Sequence, residues 1–118
     1  MKRDELGKYG EDLAATYLQT KGYRIVRRNY RYRKAEVDIL AFKEDLLVVV
    51  EVKTRNSSSF GDPQNFVSKA QLQLLVQAAD HYLQEQQLDA EVRFDIISII
   101  KNKYEQKIEH LEDAFYHF

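Results

Sequence analysis

Cysteine and tryptophan are absent from the chain, proline occurs once and glycine four times. Without cysteine there is neither a disulfide scaffold nor a thiolate metal site, and the chain fits a reducing compartment; a cytoplasmic location is expected. No apolar run approaches the length of a membrane span, and the opening MKRDELGKYGED has no apolar segment of the kind that marks a secretory signal. An excess of one charge is missing too: 18 basic and 19 acidic residues leave a net charge of −1, so any nucleic-acid surface must be local. Repeats and linkers are also lacking. What remains is an ordinary globular composition, 44% apolar and 31% charged, in 118 residues. That length predicts a single domain over residues 1–118, large enough to bury a core.

The most informative stretch runs from Ala35 to Thr54, AEVDILAFKEDLLVVVEVKT. It predicts two strands, 35–42 and 46–54, joined by a tight turn at Lys43-Glu44-Asp45. With two turn residues, Glu44 and Asp45, Lys43 faces Leu46, Asp38 falls opposite Glu51 and Glu36 opposite Lys53. Alternation puts Glu36 and Asp38 on one face of the first strand, and Glu51 and Lys53 on one face of the second. Opposed Cβ atoms stand roughly 5 Å apart, and two carboxylates at that distance repel by about 3 kcal/mol at an effective dielectric near 20. A proton, the Lys53 ammonium or a divalent cation such as Mg²⁺ could each relieve such a pair. The competing reading is a plain hairpin with Glu51 and Lys53 as a surface ion pair. Charges inside LLVVVEVK fit that reading poorly, because a continuous apolar run marks a strand covered on both faces.

Asp38, followed thirteen residues later by Glu51-Val52-Lys53, resembles the PD-(D/E)XK nuclease signature. The ordered set Gly7-x-x-Gly10-Glu11, Glu36-Val37-Asp38-Ile39, Val50-Glu51-Val52-Lys53-Thr54-Arg55, Phe60-Gly61 and Arg93-Phe94-Asp95 more closely resembles the YraN-like family, itself similar to archaeal Holliday-junction resolvases. Val37 rather than proline precedes Asp38, and Ala35 stands where the family usually has glycine. The resemblance spans nearly the whole chain and implies a three-layer restriction-endonuclease-like core. It also implies Mg²⁺ or Mn²⁺ held by Asp38, Glu51 and the Val52 carbonyl, with Glu11 at the edge of the site, and a homodimer as the expected assembly.

The rest of the chain fits that order. Leu6, Tyr9, Leu13 and Tyr17 recur at helical spacing and predict a helix over 4–20, stopped by Gly22. Gly7, Glu11, Ala14 and Leu18 form a neighbouring stripe whose small residues would allow close approach. Glu11 is either a solvated residue favoured by the helix dipole or part of the site. Tyr23 to Tyr32 predicts a strand inside a run, Lys21 to Lys34, of seven basic and no acidic residues. Its arginines and interleaved tyrosines suit phosphate contacts and stacking, or an edge strand kept soluble by charge. Residues 55–64 form a loop, read either as a flap over substrate or as a plain connection. Ser68-x-x-Gln71 is a capping box opening a helix to about Gln86, with Lys69 at its first position, where a cation opposes the dipole and weakly suggests a phosphate contact. Glu91–Ile100 predicts a strand parallel to 46–54, Asn102-Lys103 a turn, and Lys107–Leu111 a last strand. The closing EDAFYHF offers aromatics, Phe115, Tyr116 and Phe118, that either cover the core edge or meet a partner copy. His81, His110 and His117 lack metal-ligand spacing.

The order helix, three strands, helix, two strands is an α/β sandwich on a mixed five-stranded sheet. The expected activity is metal-dependent hydrolysis of DNA phosphodiesters, on branched or flapped structure. Asp38, Glu51, Lys53 and Glu11 are the expected catalytic residues, and Glu36 holds Lys53. Arg24, Arg28, Arg31, Arg33, Lys34, Arg55 and Lys69 are the expected nucleic-acid contacts. The rival from another class is a binding module that keeps the fold without catalysis.

Overall fold

The computed structural model of the chain describes residues 2–57 and 67–115. Helix α1 spans Arg3–Thr20 and is followed by strands β1 (Arg24–Tyr32), β2 (Ala35–Lys43) and β3 (Leu46–Arg55). Helix α2 spans Lys69–Glu85, and β4 (Val92–Lys101) and β5 (Gln106–Leu111) complete the chain. The five strands form one mixed sheet in the order β1-β2-β3-β4-β5, antiparallel except for the parallel β3–β4 pair. This is the α/β architecture expected from the element order.

Local signals explain the element ends. The Ser68 side chain accepts from the Gln71 amide at 3.0 Å and starts α2. Gly22, at φ 89°, stops α1 by a turn that an L side chain disfavours, while the Tyr23 amide reaches back to the Leu18 carbonyl. Lys43 faces Leu46 across the expected two-residue turn. The Asn102 side chain accepts from the Tyr104 and Glu105 amides and shapes the β4–β5 turn.

The sheet is covered on both faces. Leu75, Ala78, Ala79, Tyr82 and Leu83 of α2 pack with Leu40, Leu47, Val49 and Ile96 on one side. Ala14, Ala15 and Leu18 of α1 pack with Ile39, Val48, Val50, Ile97 and Ile99 on the other. The apolar run of β3 is thus buried on both sides, as its unbroken pattern requires. Phe115 is only 7% exposed and belongs to the α2-side core. Of its two expected places, the core edge and a partner contact, Phe115 takes the first. Tyr116 and Phe118 lie outside the described residues, as does most of the expected 55–64 loop, whose first two residues are in β3 and a bend.

Gly10 sets how closely α1 lies on the sheet. A Cβ built there would stand 2.8 Å from the Thr54 Cβ, nearer than real contacts allow. The helix therefore rests its backbone against β3 next to Glu51 and Lys53. Gly10→Ala must push α1 away and is expected to lower stability by about 1–3 kcal/mol, the usual range for overpacking. Urea unfolding of that variant with and without Thr54→Gly checks the cause: the second change should recover part of the loss.

Candidate active site

The β2–β3 ladder runs from Lys43↔Leu46 to Ile39↔Val50 and stops there. Beyond that point β2 is paired only with β1, through Val37, Glu36 and Ala35. The outer half of β3, from Glu51 to Arg55, is paired only with β4. The two strands fork at the two residues whose side chains are acids. In place of the next ladder rung, Asp38 Oδ2 accepts from the Val52 amide at 2.8 Å, and Glu51 Oε1 lies 3.4 Å from the Asp38 amide. The Asp38 carboxylate thus takes the Val52 amide that the next rung to β2 would have used.

A deformation of β2 prepares the fork. Ala35 and Val37 pack in the α2-side core, but Ile39 and Ala41 pack in the α1-side core. In a regular strand all four would share one face. The change of side falls at Asp38. Opposite it in the β1–β2 register, between Arg28↔Ile39 and Tyr30↔Val37, stands Asn29, whose φ of 52° is left-handed. Asparagine tolerates that backbone better than most residues.

The cleft at the fork has a volume of about 430 Å³. From the strands, Glu36, Asp38, Glu51, Val52 and Lys53 line it; α1 supplies Glu11, and α2 supplies Gln71. The expected catalytic set is therefore in one place. Glu51 is buried at 4% exposure, and among the described residues neither Glu51 nor Asp38 has an ion pair. Burial pushes the Asp38 carboxyl up to about 6; the Val52 amide opposes this, the Glu11 charge adds to it, and Lys53 draws it down. Burial and then the Asp38 charge push Glu51 up to about 8, against the Asp38 amide and Lys53. The donors are all hard oxygens, the type that Mg²⁺ or Mn²⁺ takes, and a pair holding excess proton affinity is one that a cation would relieve. Among the described residues no three His, Asp or Glu side chains form a ready metal cluster.

Glu36 departs from its expected role. Its carboxylate is 3.4 Å from Arg31 on β1, and the forked ladder contains no Glu36–Lys53 rung. Once β2 leaves β3, Glu36 is nearer its β1 neighbour than the lysine.

A family model described as "Uncharacterised protein family UPF0102" matches residues 10–99. The chain belongs to that family. It is 56% identical over 117 residues to a UPF0102 protein of Flavobacterium psychrophilum, covering 99% of this chain and 98% of that protein. It is 44% identical over 115 residues to one of Bacteroides thetaiotaomicron, covering 98% and 95%. The match takes in the fork and both helices of this UPF0102 chain.

The basic residues expected to touch nucleic acid are spread more widely than the acids. Arg28 lies 2.8 Å from Asp12 and 3.9 Å from Glu11, at the edge of the cleft. Arg33 sits over the Tyr32 ring, and Lys34 is exposed in the following turn. Arg55 donates to the Ser98 hydroxyl at 3.2 Å, and Lys69 is exposed at the start of α2. Arg24 sits over Phe42, four residues along β2 from Asp38 and so about 13 Å from it. The sequence reading missed Arg3 and Gln71 as lining residues. Arg3 was detectable, since it precedes Gly7 and Glu11 at four-residue spacing on one helical face.

The paired acids predict an unusual pH dependence. A carboxyl whose folded pKa lies above its unfolded value binds more protons when folded, so stability falls as pH rises. For Asp38 and Glu51 the window runs from about 4 to about 8. Without metal, the protein is expected to lose more than about 1.4 kcal/mol, the value of one pKa unit, between pH 5 and pH 8. Glu51→Gln should flatten most of that slope. Urea titrations at the two pH values check this, and equal slopes for both proteins would remove the buried pair from the account.

Proposed function

We propose that the chain is a metal-dependent endonuclease that hydrolyses DNA phosphodiesters, on branched or flapped structure, and belongs to the resolvase-like branch of the PD-(D/E)XK nucleases. The observation that carries this reading is the fork: a buried Glu51 and an Asp38 locked by the Val52 amide, beside Lys53, in an open cleft. Two carboxylates forced together without an ion pair destabilise the fold, and their placement fits a site for a cation. Perturbed acids in a cleft are also the usual mark of a reactive site.

Asp38, Glu51 and the Val52 carbonyl would hold Mg²⁺ or Mn²⁺. The chemistry such an ion supplies when bound is polarisation of the phosphate and a lowered pKa for a bound water. The chain's own residues do the rest. Lys53, two residues beyond Glu51 on the same side of β3, orients the attacking water through its ammonium and offsets charge developing on the phosphoryl oxygens, while the water's proton passes to solvent. Glu11 brings a third carboxylate from α1, directly or through a water. Glu36 and Arg31 form an ion pair at the rim and limit how far each can move. Water attacks phosphorus, the bond to the leaving sugar oxygen breaks, and the expelled oxygen takes its proton from solvent.

A second reading has its own support. The lack of a ready three-residue metal cluster among the described residues favours a nucleic-acid-binding module that keeps the fold without cleaving. A cleavage screen over single-stranded, duplex, flap and four-way DNA with Mg²⁺ or Mn²⁺ separates the two. Alongside it, a metal thermal shift should appear in wild type and vanish in Asp38→Ala. DNA binding with neither cleavage nor metal response would establish the binding module.

A further inference from the structure

Helix α1 carries two glycines three residues apart, with different surroundings. Gly10 is pressed against Thr54, whereas a Cβ at Gly7 would meet no atom within 4 Å. A glycine inside a helix lowers helix stability relative to alanine, so packing gives no reason for this one. Its position does. Gly7 lines the cleft at the fork and also a second cleft of about 720 Å³ on the other side of α1. Arg3, Gly7 and Glu11, at successive four-residue steps, are the residues common to both. The second cleft is otherwise lined by Asp4, Lys8, Arg28 and Asn29. Arg28 is held by the half-exposed Asp12, and Lys8 lies 3.9 Å from the same carboxylate. Such surface pairs are weak, and a phosphate can take their place.

We propose that the two clefts are one track for the sugar–phosphate chain of a DNA strand, which crosses α1 at Gly7 and places phosphates beyond the scissile one against Arg3, Lys8 and Arg28. This rests on the nucleic-acid reading above, but it concerns the path of the strand, not the chemistry. Gly7 is the low point between the clefts, where the absence of a side chain lets the backbone of the ligand pass close to the helix. Asn29, in the second cleft, is also the residue opposite Asp38. The track therefore leads from the reacting position along the β1 side of the molecule.

The test uses the full chain with EDTA present, so that binding is measured without cleavage, on labelled single-stranded and flap DNA. Gly7→Ala should raise the thermal midpoint, because a helix glycine is lost, and still weaken binding several-fold. Gly7→Leu should weaken it more than 10-fold. Thr16→Leu, at an exposed position of the same helix outside both clefts, should bind as wild type. Arg3→Ala with Lys8→Ala should reduce the salt slope of single-strand binding by about 1.4, the value of two phosphate contacts. Wild-type affinity in folded Gly7→Leu would overturn the track, even if wild type cleaves DNA. Weak binding by Gly7→Leu would support it, even if wild type cleaves nothing. A wild type that binds no DNA would overturn both this track and the nuclease reading.

Discussion

Asp38→Ala protein is expected to bind flap or four-way DNA with near-wild-type affinity and to cleave it slower by about 10²- to 10³-fold or more, the scale seen when one charge-stabilising group is removed from a transition state. Glu51→Ala and Lys53→Ala should fall by similar factors. The three losses should not multiply in combined variants, because groups acting on one reaction centre act as a unit. The geometry is what makes the binding clause specific. Asp38 and Glu51 sit inside the fork, where an acid repels the DNA backbone and contributes nothing to affinity without metal. Removing Asp38 also removes a charge repulsion of about 3 kcal/mol, which outweighs the loss of its bond from the Val52 amide. The metal-free variant should therefore be no less stable than wild type at pH 8. Cleavage by Asp38→Ala at a rate close to wild type would sink the proposed mechanism.

Asp95→Ala is expected to lose about 3–5 kcal/mol of stability, the range for stranding the partners of a buried ion pair. For a domain of this size that is a fall in thermal midpoint of about 10–20 °C. Asp95 is fully buried. Its oxygens accept from the Arg93 guanidinium at 2.8 and 2.9 Å, from His110 Nε2 at 2.7 Å and from the Asp113 amide at 3.0 Å. Arg93 also donates to the Tyr23 hydroxyl at 2.8 Å, and His110 Nδ1 lies 3.2 Å from that of Tyr17. One carboxylate thus ties β4 to the end of β5, to α1 and to the start of β1. Burial raises its pKa, but the bonds from His110, Arg93 and Asp113 outweigh burial and hold it below the ordinary value. Its contribution is therefore present above pH 4 and lost as pH falls below that, opposite in sign to the pair at the fork. Asp95→Asn should retain part of the stability, and thermal melts of both variants at pH 6 provide the check.

The contrast between these two acid sites shows what could be read in advance. The hairpin register was legible, because Lys43-Glu44-Asp45 interrupts two apolar runs and alternation does the rest. The meeting of Asp38 and Glu51 in one cleft followed from that register. The early end of the ladder did not, because it depends on side-chain oxygens outcompeting a backbone rung, and on a change of side at Asp38 that period-two counting cannot anticipate. Glu36 was assigned to Lys53 for the same reason. His110 offered no usable signal, since its partners Asp95 and Tyr17 are distant in sequence and only the β4–β5 pairing brings them together. Phe115 read as a tail aromatic because nothing local shows which side of the sheet the chain returns to. The parallel strand pair was legible from the helical crossover that joins its strands, and the start of α2 from its capping residues.

The bond from the Val52 amide to Asp38 makes one proton in the chain an indicator of the site's occupancy. An amide hydrogen pointing at a charged carboxylate is deshielded and exchanges slowly with solvent. When that carboxylate is neutralised, or its oxygen is drawn toward a cation, the resonance should move upfield. In a ¹H–¹⁵N spectrum the Val52 cross-peak should thus trace the ionisation of Asp38 through its own inflection and respond again to added Mg²⁺, before any substrate is present.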